Sequence, residues 1–363
     1  MTASVRTSAP GKLILIGEYA VLEGWPAAVM AVDRRALVSL DASPNGRWSF
    51  FAPGLTEAPA ECSIDSRGEL CWEGGGRELS ERFSLVAMLM KRLADAGIID
   101  PAALEPAAAV LDTRAFFEGH HKLGLGSSAA LTVALVSALR AWAGGEITTD
   151  DAWLQTLVDL HRGVQGGRGS GVDVAASLLG GVIRYQLEAP AGRSGRGVGQ
   201  VRSAVPLTLP EDLRVLVAWT GRSASTVDYL ERLEARRREE PRAVEAALAG
   251  LGSASVGGID ALEGDHSTGF LQAVEAFWNG LEVLERVLGM PVLSEPHRRL
   301  HELAASCGGV YKPSGAGGGD LGVGFTTDPE VGAAMRREST AAGFSCLDLG
   351  PGHGVAAVAV GRR

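Results

Sequence analysis

The chain has 363 residues, 46% of them hydrophobic and 21% charged, which is enough apolar material for two packed domains and excludes a disordered tail. Its 34 basic and 43 acidic residues give a formal net charge of -9, which argues against a general affinity for the nucleic-acid backbone. The N-terminus lacks a signal-peptide pattern, and no apolar run approaches the ~20 residues of a membrane span, so we expect a cytoplasmic protein. The four cysteines are far from CxxC spacing and are expected to be free thiols.

The first third of the chain is rich in predicted strands. Alternating and β-branched apolar residues predict four of them, over residues 12–16, 27–32, 36–42 and 48–51. Between residues 82 and 96 the apolar residues recur at helical spacing, and Asp95-Ala96-Gly97 supplies a stop. We therefore expect a surface helix with one buried stripe here.

The next part alternates strands, glycine-rich turns and helices. A strand is predicted over 107–111 and an alanine-rich helix over 128–142, with a glycine run at the helix N-terminus. A second helix over 150–164 runs into another glycine-rich turn. Asp173 is expected in the first turn of the helix that follows, before a strand at 182–186.

The second half is predicted to be a mixture of helices and strands. A stretch rich in Gly, Arg, Ser and Pro, residues 188–200, favours a connection or exposed loop between the two halves. The helices predicted beyond it cover residues 226–240, 242–251, 267–288, 294–306 and 329–342. The predicted strands lie at 213–219, near 310, at 321–325 and at 355–360. This pattern indicates an α+β architecture.

Lysine is scarce in this chain. It occurs only at positions 12, 91, 122 and 312, so 30 of the 34 basic residues are arginine. Three of the four lysines lie in or beside glycine-rich segments. Chance is one interpretation of this placement; the other is a compact ammonium beside a backbone that approaches a phosphate closely.

The first glycine-rich segment is APGKLILIGEYAVL, residues 9–22. Lys12 enters its predicted strand, and Glu18 follows a glycine at the strand's end. Buried ammonium and carboxylate groups are costly unless they are paired. A structural salt bridge and a lysine that faces phosphate at the mouth of a cleft both explain this segment.

The second segment is KLGLGSSAA, residues 122–130, which leads into a predicted helix. Successive glycines free backbone N–H groups to wrap an anion, the helix N-terminus adds partial positive charge, and serine hydroxyls can complete the shell of a phosphate-bound magnesium. The segment matches neither GxxxxGK[ST] nor GxGxxG. A simple Gly-Ser helix cap is the alternative interpretation.

The third segment is KPSGAGGGD, residues 312–320, between two short predicted strands. Such small residues add little packing and lose much conformational entropy on folding. The run therefore favours a loop whose backbone a ligand approaches closely, with a flexible hairpin as the alternative.

In their order and spacing, these three segments resemble the three motifs of the GHMP small-molecule kinases, the family named for galactokinase, homoserine kinase, mevalonate kinase and phosphomevalonate kinase. Two more segments, QGGRGSGVDVAAS (165–177) and WTGRSAST (219–226), are similar to the bacterial phosphomevalonate kinases of that family. The chain departs from the pattern at Leu321, where many members carry cysteine, and at His120-His121, where many carry a proline. Neither departure removes a polar group that the chemistry needs.

The resemblance implies a two-domain α+β GHMP kinase fold with the active site in the cleft between the domains. Residues 1–190 would form an ATP-binding domain like ribosomal protein S5 domain 2, and residues 200–363 a ferredoxin-like domain. The implied reaction transfers the γ-phosphoryl of ATP, with Mg²⁺, to the phosphate of (R)-5-phosphomevalonate, giving 5-diphosphomevalonate and ADP on the mevalonate route to isoprenoids. We expect small-molecule partners only, with no nucleic acid and no membrane, and a monomer or homodimer.

Carried onto this sequence, the resemblance assigns three groups of site residues. Lys12 is expected to bridge the transferred phosphoryl group and the acceptor, and Asp173 to orient Lys12 or the substrate. The residues expected to hold the ATP phosphates are Lys122, Gly124, Leu125, Gly126, Ser127, Ser128 and Ala129, with Ser128 also contacting Mg²⁺. The residues expected to bind the substrate are Lys12, Glu18, Tyr19, Arg168, Ser170, Gly171, Ser223, Ser225, Lys312, Gly317 and Gly318. For Glu18, a magnesium ligand and a structural role are open alternatives.

Three other functions are weighed against this one. The alternative within the family is mevalonate kinase or another GHMP small-molecule kinase. A mevalonate kinase shares all three motifs but phosphorylates a hydroxyl, which needs Asp173 more directly. A diphosphomevalonate decarboxylase is disfavoured by the intact GAGGGD and WTGRSAST segments. A ligand-sensing regulator without turnover is expected to lose Lys12, Ser128 or Asp173, and all three are present.

Overall fold

The computed structural model describes residues 4–74, 76–167, 169–189, 198–222 and 226–360. Its strands are β1 (Ser4–Ile16), β2 (Ala27–Ala42), β3 (Trp48–Phe51), β4 (Ala60–Ile64), β5 (Leu70–Trp72), β6 (Ala107–Asp112), β7 (Phe117–Glu118), β8 (His121–Lys122), β9 (Val182–Leu187), β10 (Val201–Pro206), β11 (Arg214–Trp219), β12 (Val310–Ser314), β13 (Leu321–Thr326), β14 (Ser345–Leu347) and β15 (Ala356–Val360). Its α-helices are α1 (Gly76–Arg82), α2 (Ser84–Asp95), α3 (Ser127–Trp142), α4 (Asp151–Val164), α5 (Val172–Leu179), α6 (Thr226–Glu239), α7 (Pro241–Glu263), α8 (Ser267–Leu288), α9 (Glu295–Cys307) and α10 (Pro329–Ala341). Among the described residues, these strands form a nine-stranded sheet, a four-stranded sheet and the two-stranded pair β7–β8.

The first sheet is built around the long strand β2. The first half of β2 pairs with β9 and its second half with β6, while β1 runs antiparallel along its other edge. Strands β3, β4 and β5 extend the sheet beyond β6, and the β3–β6 pair is parallel. Strands β10 and β15 join the same sheet, on β9 and β1 respectively. The second half of the chain therefore contributes two strands to the sheet that is built mainly by the first half. The division of the chain into domains at residues 1–190 and 200–363 stays a prediction.

Strand β2 is continuous where the sequence pattern predicted two strands, 27–32 and 36–42. The charged residues Asp33, Arg34 and Arg35 interrupt the apolar pattern. In the structure, the pairing register shifts between Pro10 and Gly11 of β1, which absorbs the extra residues of β2 as a bulge. The Arg35 guanidinium donates to the carbonyl oxygen of Ser8 at 3.0 Å, so the charge is accommodated beside the sheet.

The second sheet has the antiparallel order β12-β13-β11-β14. Numbered within this sheet, the order is 2-3-1-4, and helices α8, α9 and α10 pack on it. This is the ferredoxin-like arrangement expected for the second half of the chain. The predicted α+β fold of the GHMP kinases is thus confirmed.

Helix α7 is longer than predicted and joins the two halves of the molecule. The pattern placed its end at residue 251, whereas the helix continues to Glu263. Glycine normally weakens a helix interior, but here it permits close contact. A Cβ at Gly252 would lie 2.4 Å from the Trp25 ring, and one at Gly258 would lie 2.9 Å from Ile16 Cδ1. The glycines therefore let α7 pack directly on the end of the first glycine-rich segment.

Strand β1 contributes to both apolar clusters of the molecule. Ile14 packs into the cluster under the first sheet, whereas Leu13 and Leu15 pack into the cluster with the C-terminal helices. Neighbouring side chains of a strand point to opposite faces, so one strand serves two cores. Residues 13–15 of this strand therefore lie between the two apolar clusters. Of the helices that the structure describes, none is long and apolar enough to cross a membrane.

Candidate active site

The three glycine-rich segments meet at the end of β1. The backbone N–H of Lys12 donates to the carbonyl oxygen of Leu125 at 2.8 Å. The Ser314 hydroxyl donates to the carbonyl oxygen of Ile14 at 3.0 Å and accepts from the N–H of Ile14 at 2.9 Å. The first segment is thus hydrogen-bonded to both of the others.

The side chains of Lys12 and Asp173 converge on the N-terminus of α3. Gly126 is the N-cap of that helix, with φ +79°. A Cβ on Gly126 would lie 3.1 Å from Lys12 Cγ and 3.6 Å from Asp173 Cβ, and both side chains are partly exposed. Unpaired N–H groups at a helix N-terminus attract anions, and an adjacent ammonium strengthens this. The arrangement can hold a phosphoryl group between α3 and Lys12.

The second and third segments touch at Gly124 and Asp320. A Cβ on Gly124, where φ is +79°, would lie 2.6 Å from both Cβ and Cγ of Asp320. Asp320 itself has φ +57°, and its carbonyl oxygen accepts from the N–H and the hydroxyl of Thr220, each at 2.9 Å. Asp320 therefore positions the glycine-rich turn that precedes α3. Asp320 is not among the predicted site residues, although it ends the third segment.

The other residues expected around the ATP phosphates lie on the same turn and helix. Leu125, Ser127 and Ala129 are buried, so their contribution would come chiefly from the backbone. Lys122 is exposed at the end of β8. The turn thus presents a lysine and a helix N-terminus within a few residues of each other.

Ser128 contacts a buried histidine that the sequence did not reveal. Its hydroxyl lies 3.2 Å from Nε2 of His161 in α4, and Nε2 of Gln165 lies 3.4 Å from the same nitrogen. Each contact is a hydrogen bond when the His161 nitrogen is the acceptor. With its proton directed to His161, the Ser128 oxygen keeps its lone pairs for another ligand.

The surroundings of Ser128 fit a magnesium ion that is shared with a nucleotide. Among the residues that the structure describes, no group of three or more His, Cys, Asp and Glu side chains could hold a metal by itself. Magnesium bound with nucleotides typically takes only one or two protein ligands and completes its shell with phosphate oxygens and water. A single hydroxyl at the N-terminus of a phosphate-binding helix suits that mode.

Glu18 and Lys312 form a buried ion pair between the first and third segments. The Lys312 Nζ lies 2.5 Å from Glu18 Oε1, and the side chains are 0% and 3% exposed. The ammonium also donates to the carbonyl oxygen of Pro313 at 2.6 Å. Burial lowers the pKa of Lys312, and Glu18 opposes that shift. The salt bridge considered for the first segment exists, but its cation is Lys312 and not Lys12.

Tyr19 and the third segment are also in contact. Tyr19 has φ 61°, is buried, and donates its hydroxyl proton to the carbonyl oxygen of Ala316. The N–H of Gly318 donates to the carbonyl oxygen of Val292 at 2.7 Å. Burial raises the pKa of Tyr19 well above its usual 10, so the phenol stays protonated. The loop that contains Gly317 and Gly318 is therefore held from both sides.

The remaining predicted substrate residues are split between described and undescribed parts of the chain. Gly171 is the N-cap of α5 with φ 79°, and the carbonyl oxygen of Ser170 accepts from the Tyr185 hydroxyl at 2.7 Å. Arg168, Ser223 and Ser225 lie outside the described residues.

The sequence is similar to those of known kinases. Residues 105–181 match the family model described as GHMP kinases N terminal domain. The chain is 31% identical to the phosphomevalonate kinase of Streptomyces sp. (strain CL190), over 89% of this chain and 91% of that protein. It is 30% identical to the mevalonate kinase of Thermococcus sibiricus, over 68% of this chain and 67% of that protein.

A solved structure shares the fold of this chain. The Streptococcus pneumoniae phosphomevalonate kinase, solved in complex with phosphomevalonate and AMPPNP, superposes with a TM-score of 0.70 at 22% identity. The match covers 96% of this chain and 99% of that one. By its sequence relatives, its fold and the meeting of its three glycine-rich segments, the chain belongs to the GHMP kinase family.

Proposed function

We propose that this GHMP kinase is a phosphomevalonate kinase, which transfers the γ-phosphoryl of ATP to the phosphate of (R)-5-phosphomevalonate and releases 5-diphosphomevalonate and ADP. The observation that carries the proposal is the convergence of Lys12 and Asp173 on Gly126, at the N-terminus of α3. The similarity over 89% of the chain to a phosphomevalonate kinase supports the choice of acceptor.

The acceptor's own chemistry explains why one lysine can dominate the reaction. A phosphate monoester has a second pKa of about 6, so it is largely ionised near neutral pH and needs no strong base. The main obstacle is repulsion between two anionic phosphates, together with in-line positioning. The Lys12 ammonium would lie between donor and acceptor and offset that repulsion as charge redistributes.

The N-terminus of α3 would hold the nucleotide. Backbone N–H groups of residues 124–128 would surround the ATP phosphates, and the helix dipole would favour their negative charge. The Ser128 hydroxyl, oriented by His161 at 3.2 Å, would hold Mg²⁺, which when bound neutralises phosphate charge. The Asp320 side chain would keep the turn in place from the opposite side.

Asp173 would act on Lys12 in this reaction and not on the acceptor. A carboxylate facing a phosphate dianion is repelled by it. Its Cβ and the Lys12 Cγ both lie close to the Cβ position of Gly126, so the carboxylate would hold the lysine side chain toward the helix N-terminus. Asp173 would then be an orienting group.

The second candidate function is mevalonate kinase. The similarity to the Thermococcus sibiricus mevalonate kinase, at 30% identity, and the presence of Asp173 beside Lys12 both favour it. A hydroxyl acceptor must lose a proton during transfer, and a nearby carboxylate can accept it. The two candidates therefore differ in the role of Asp173.

The test is ADP release with Mg-ATP in a coupled assay, run in parallel on (R)-5-phosphomevalonate, mevalonate, 5-diphosphomevalonate, homoserine and galactose. We expect turnover on phosphomevalonate alone. Turnover on mevalonate alone would replace the proposal with the second candidate. Absence of turnover on every acceptor would contradict both.

A further inference from the structure

The loop formed by residues 315–319 has almost no side chains of its own. It reads Gly-Ala-Gly-Gly-Gly, and Gly315, Gly317 and Gly318 all have positive φ. Glycine is the most freely moving residue in an unfolded chain and gains nothing from side-chain packing. The conformation of this loop must therefore be imposed by neighbours that hold its peptide groups.

His297, near the start of α9, holds the last peptide group of this loop. Its Nε2 lies 2.9 Å from the carbonyl oxygen of Gly319, and its Nδ1 lies 2.8 Å from the hydroxyl oxygen of Tyr311. His297 is 0% exposed and Tyr311 is 2% exposed, so water does not compete with either contact. The imidazole thus joins α9, β12 and the loop.

The Gly319 carbonyl determines the directions of both His297 hydrogen bonds. A carbonyl oxygen can only accept, so Nε2 of His297 carries the proton and donates it. In the neutral ring Nδ1 is then an acceptor, and the Tyr311 hydroxyl donates to it. Both ring nitrogens are satisfied in one tautomer, which fixes the orientation of the ring.

The same peptide group is held at its other end. Gly319 O and Asp320 N belong to one planar peptide unit, and the Asp320 N–H donates to the carbonyl oxygen of Arg222 at 2.6 Å. Fixing the oxygen and the N–H fixes the plane of the peptide. Among the described residues, no backbone acceptor is found for the N–H groups of Gly317 and Gly319.

We propose that His297 is a positioning residue for the acceptor substrate: by holding the Gly319 carbonyl, it sets the backbone of residues 315–319 against which the acceptor binds. It touches no reacting group and acts through the loop alone. The proposal deepens the proposed function and rests on it, because it requires the loop to face the acceptor.

The test compares substitutions at His297 with a control in the same helix. His297→Leu keeps a similar volume and removes both hydrogen bonds, whereas His297→Gln retains an N–H donor and an oxygen acceptor. His301→Gln is the control, since that imidazole lies one turn further along α9 and stacks on Trp278 at 3.9 Å. KM for ATP and KM for the acceptor are measured separately, with thermal unfolding of each variant.

We expect His297→Leu to raise the acceptor KM by about tenfold or more, because a buried hydrogen bond to the loop is lost. KM for ATP should change less than about twofold, because Asp320, which touches the ATP-binding turn at Gly124, keeps its own hydrogen bonds to Thr220 and Arg222. His297→Gln should recover most of the acceptor affinity, and His301→Gln should match the wild type. If His297→Leu does not fold, Tyr311→Phe decides, because it removes only the hydroxyl that orients the ring.

A folded His297→Leu variant with the wild-type acceptor KM would overturn the proposal. Equal increases in both KM values would overturn it too, because they indicate a general loss of structure. For Tyr311→Phe, a rise in the acceptor KM alone supports the proposal and an unchanged value overturns it. The acceptor is whichever one the wild type phosphorylates, so activity on mevalonate would refute the proposed function and leave this test intact.

Discussion

Lys12 stands where a positive charge has the greatest effect on a phosphoryl group. Its side chain lies against Gly126 at the N-terminus of α3, and its backbone is fixed to Leu125 by a hydrogen bond of 2.8 Å. Lys12 is therefore held beside the same turn that would hold the ATP phosphates. Charge that is already in position needs no reorganisation during the reaction.

Replacing Lys12 by methionine should lower kcat by roughly a hundredfold or more, because one preorganised charge is lost at the transferred group. The chain offers a matched control in Lys91→Met, since Lys91 is exposed and pairs with Glu69 at 2.5 Å on the surface. Steady-state kinetics on both variants provide the measurement. A Lys12→Met enzyme with more than half of the wild-type kcat would remove Lys12 from the mechanism.

Ser128→Ala should weaken the effect of Mg²⁺ on nucleotide binding by about tenfold, because the variant loses the hydroxyl that His161 orients. Titration calorimetry with a nonhydrolysable ATP analogue, with and without Mg²⁺, measures this effect. Ser137→Ala in the same helix is the control, since the buried Ser137 hydroxyl has no hydrogen-bond partner among the described residues. The same Mg²⁺ dependence in both variants would argue against a metal contact at Ser128.

At the residue scale, the site residues that were predicted belong to recognisable sequence motifs. The residues that were missed contact those motifs from other parts of the chain. Lys12, Ser128 and Asp173 each have a local pattern that indicates chemistry. His161 and His297 lie in amphipathic helices without a recognisable motif, and only the fold brings them to Ser128 and to Gly319. No local spacing signals such a long-range contact.

At the scale of elements, the glycine-rich segments are held in place by contacts with one another. Gly124 is packed so closely on Asp320 that a side chain at this position would overlap the aspartate. The ion pair of Glu18 and Lys312 makes the corresponding tie between the first and third segments. The segments far apart in the chain therefore fix one another's backbone.

Gly124→Ala should raise KM for ATP by about tenfold, because the new Cβ would meet Asp320 at 2.6 Å and the residue has φ +79°. Gly144→Ala separates the two causes, since Gly144 has φ +84° and open space around its Cβ position. The control should lose some stability and keep its ATP affinity. An ATP KM that is equal in the two variants would show that contact with Asp320 does not shape the phosphate site.

The predicted elements were most accurate where the hydrophobic period and the residues at the helix ends indicated the same element. The helices predicted at 128–142 and 150–164 are confirmed as α3 and α4, and Asp150 caps α4 by accepting from the Trp153 N–H at 2.8 Å. The predictions were wrong where tertiary contacts override local signals. Helix α7 was predicted to end at residue 251, yet it continues to Glu263, and Gly252 allows Trp25 to pack against it. The charged break at residues 33–35 is bridged by a bulge that only the partner strand reveals.

At the scale of the whole molecule, the buried His297 makes stability depend on pH. Burial lowers its pKa from the usual 6.5 to about 4. The unfolded chain therefore binds a proton between pH 6.5 and about 4 that the folded chain does not. The stability that this residue contributes is present above pH 6.5 and is lost as the pH falls, by on the order of 3 kcal/mol in total.

Urea unfolding at a series of pH values between 7 and 4 would measure this dependence. Carboxylates also titrate in this range, but they are the same in wild type and in His297→Gln. The free energy of unfolding of the wild type should therefore fall more steeply with decreasing pH than that of the variant. Parallel curves would mean that His297 is protonated equally in the folded and unfolded chains.

The two halves of the molecule meet where the chemistry is proposed. Strand β1 packs its side chains into both apolar clusters, and β15 returns from the end of the chain to pair with it. The sequence predicted the elements of both halves but not the pairing of β15 with β1, because the residue pattern of a strand does not indicate which strand it pairs with. The site is thus built on a strand that is held from both sides.

³¹P NMR of the product formed from ATP and (R)-5-phosphomevalonate would identify the group that accepts the phosphoryl. Transfer to the acceptor phosphate creates a P–O–P bond, so the product should show two mutually coupled phosphorus signals while the monoester signal disappears. We expect that result with phosphomevalonate and no phosphorylated product with mevalonate. An unchanged phosphomevalonate signal, with a new monoester signal formed from mevalonate, would contradict it.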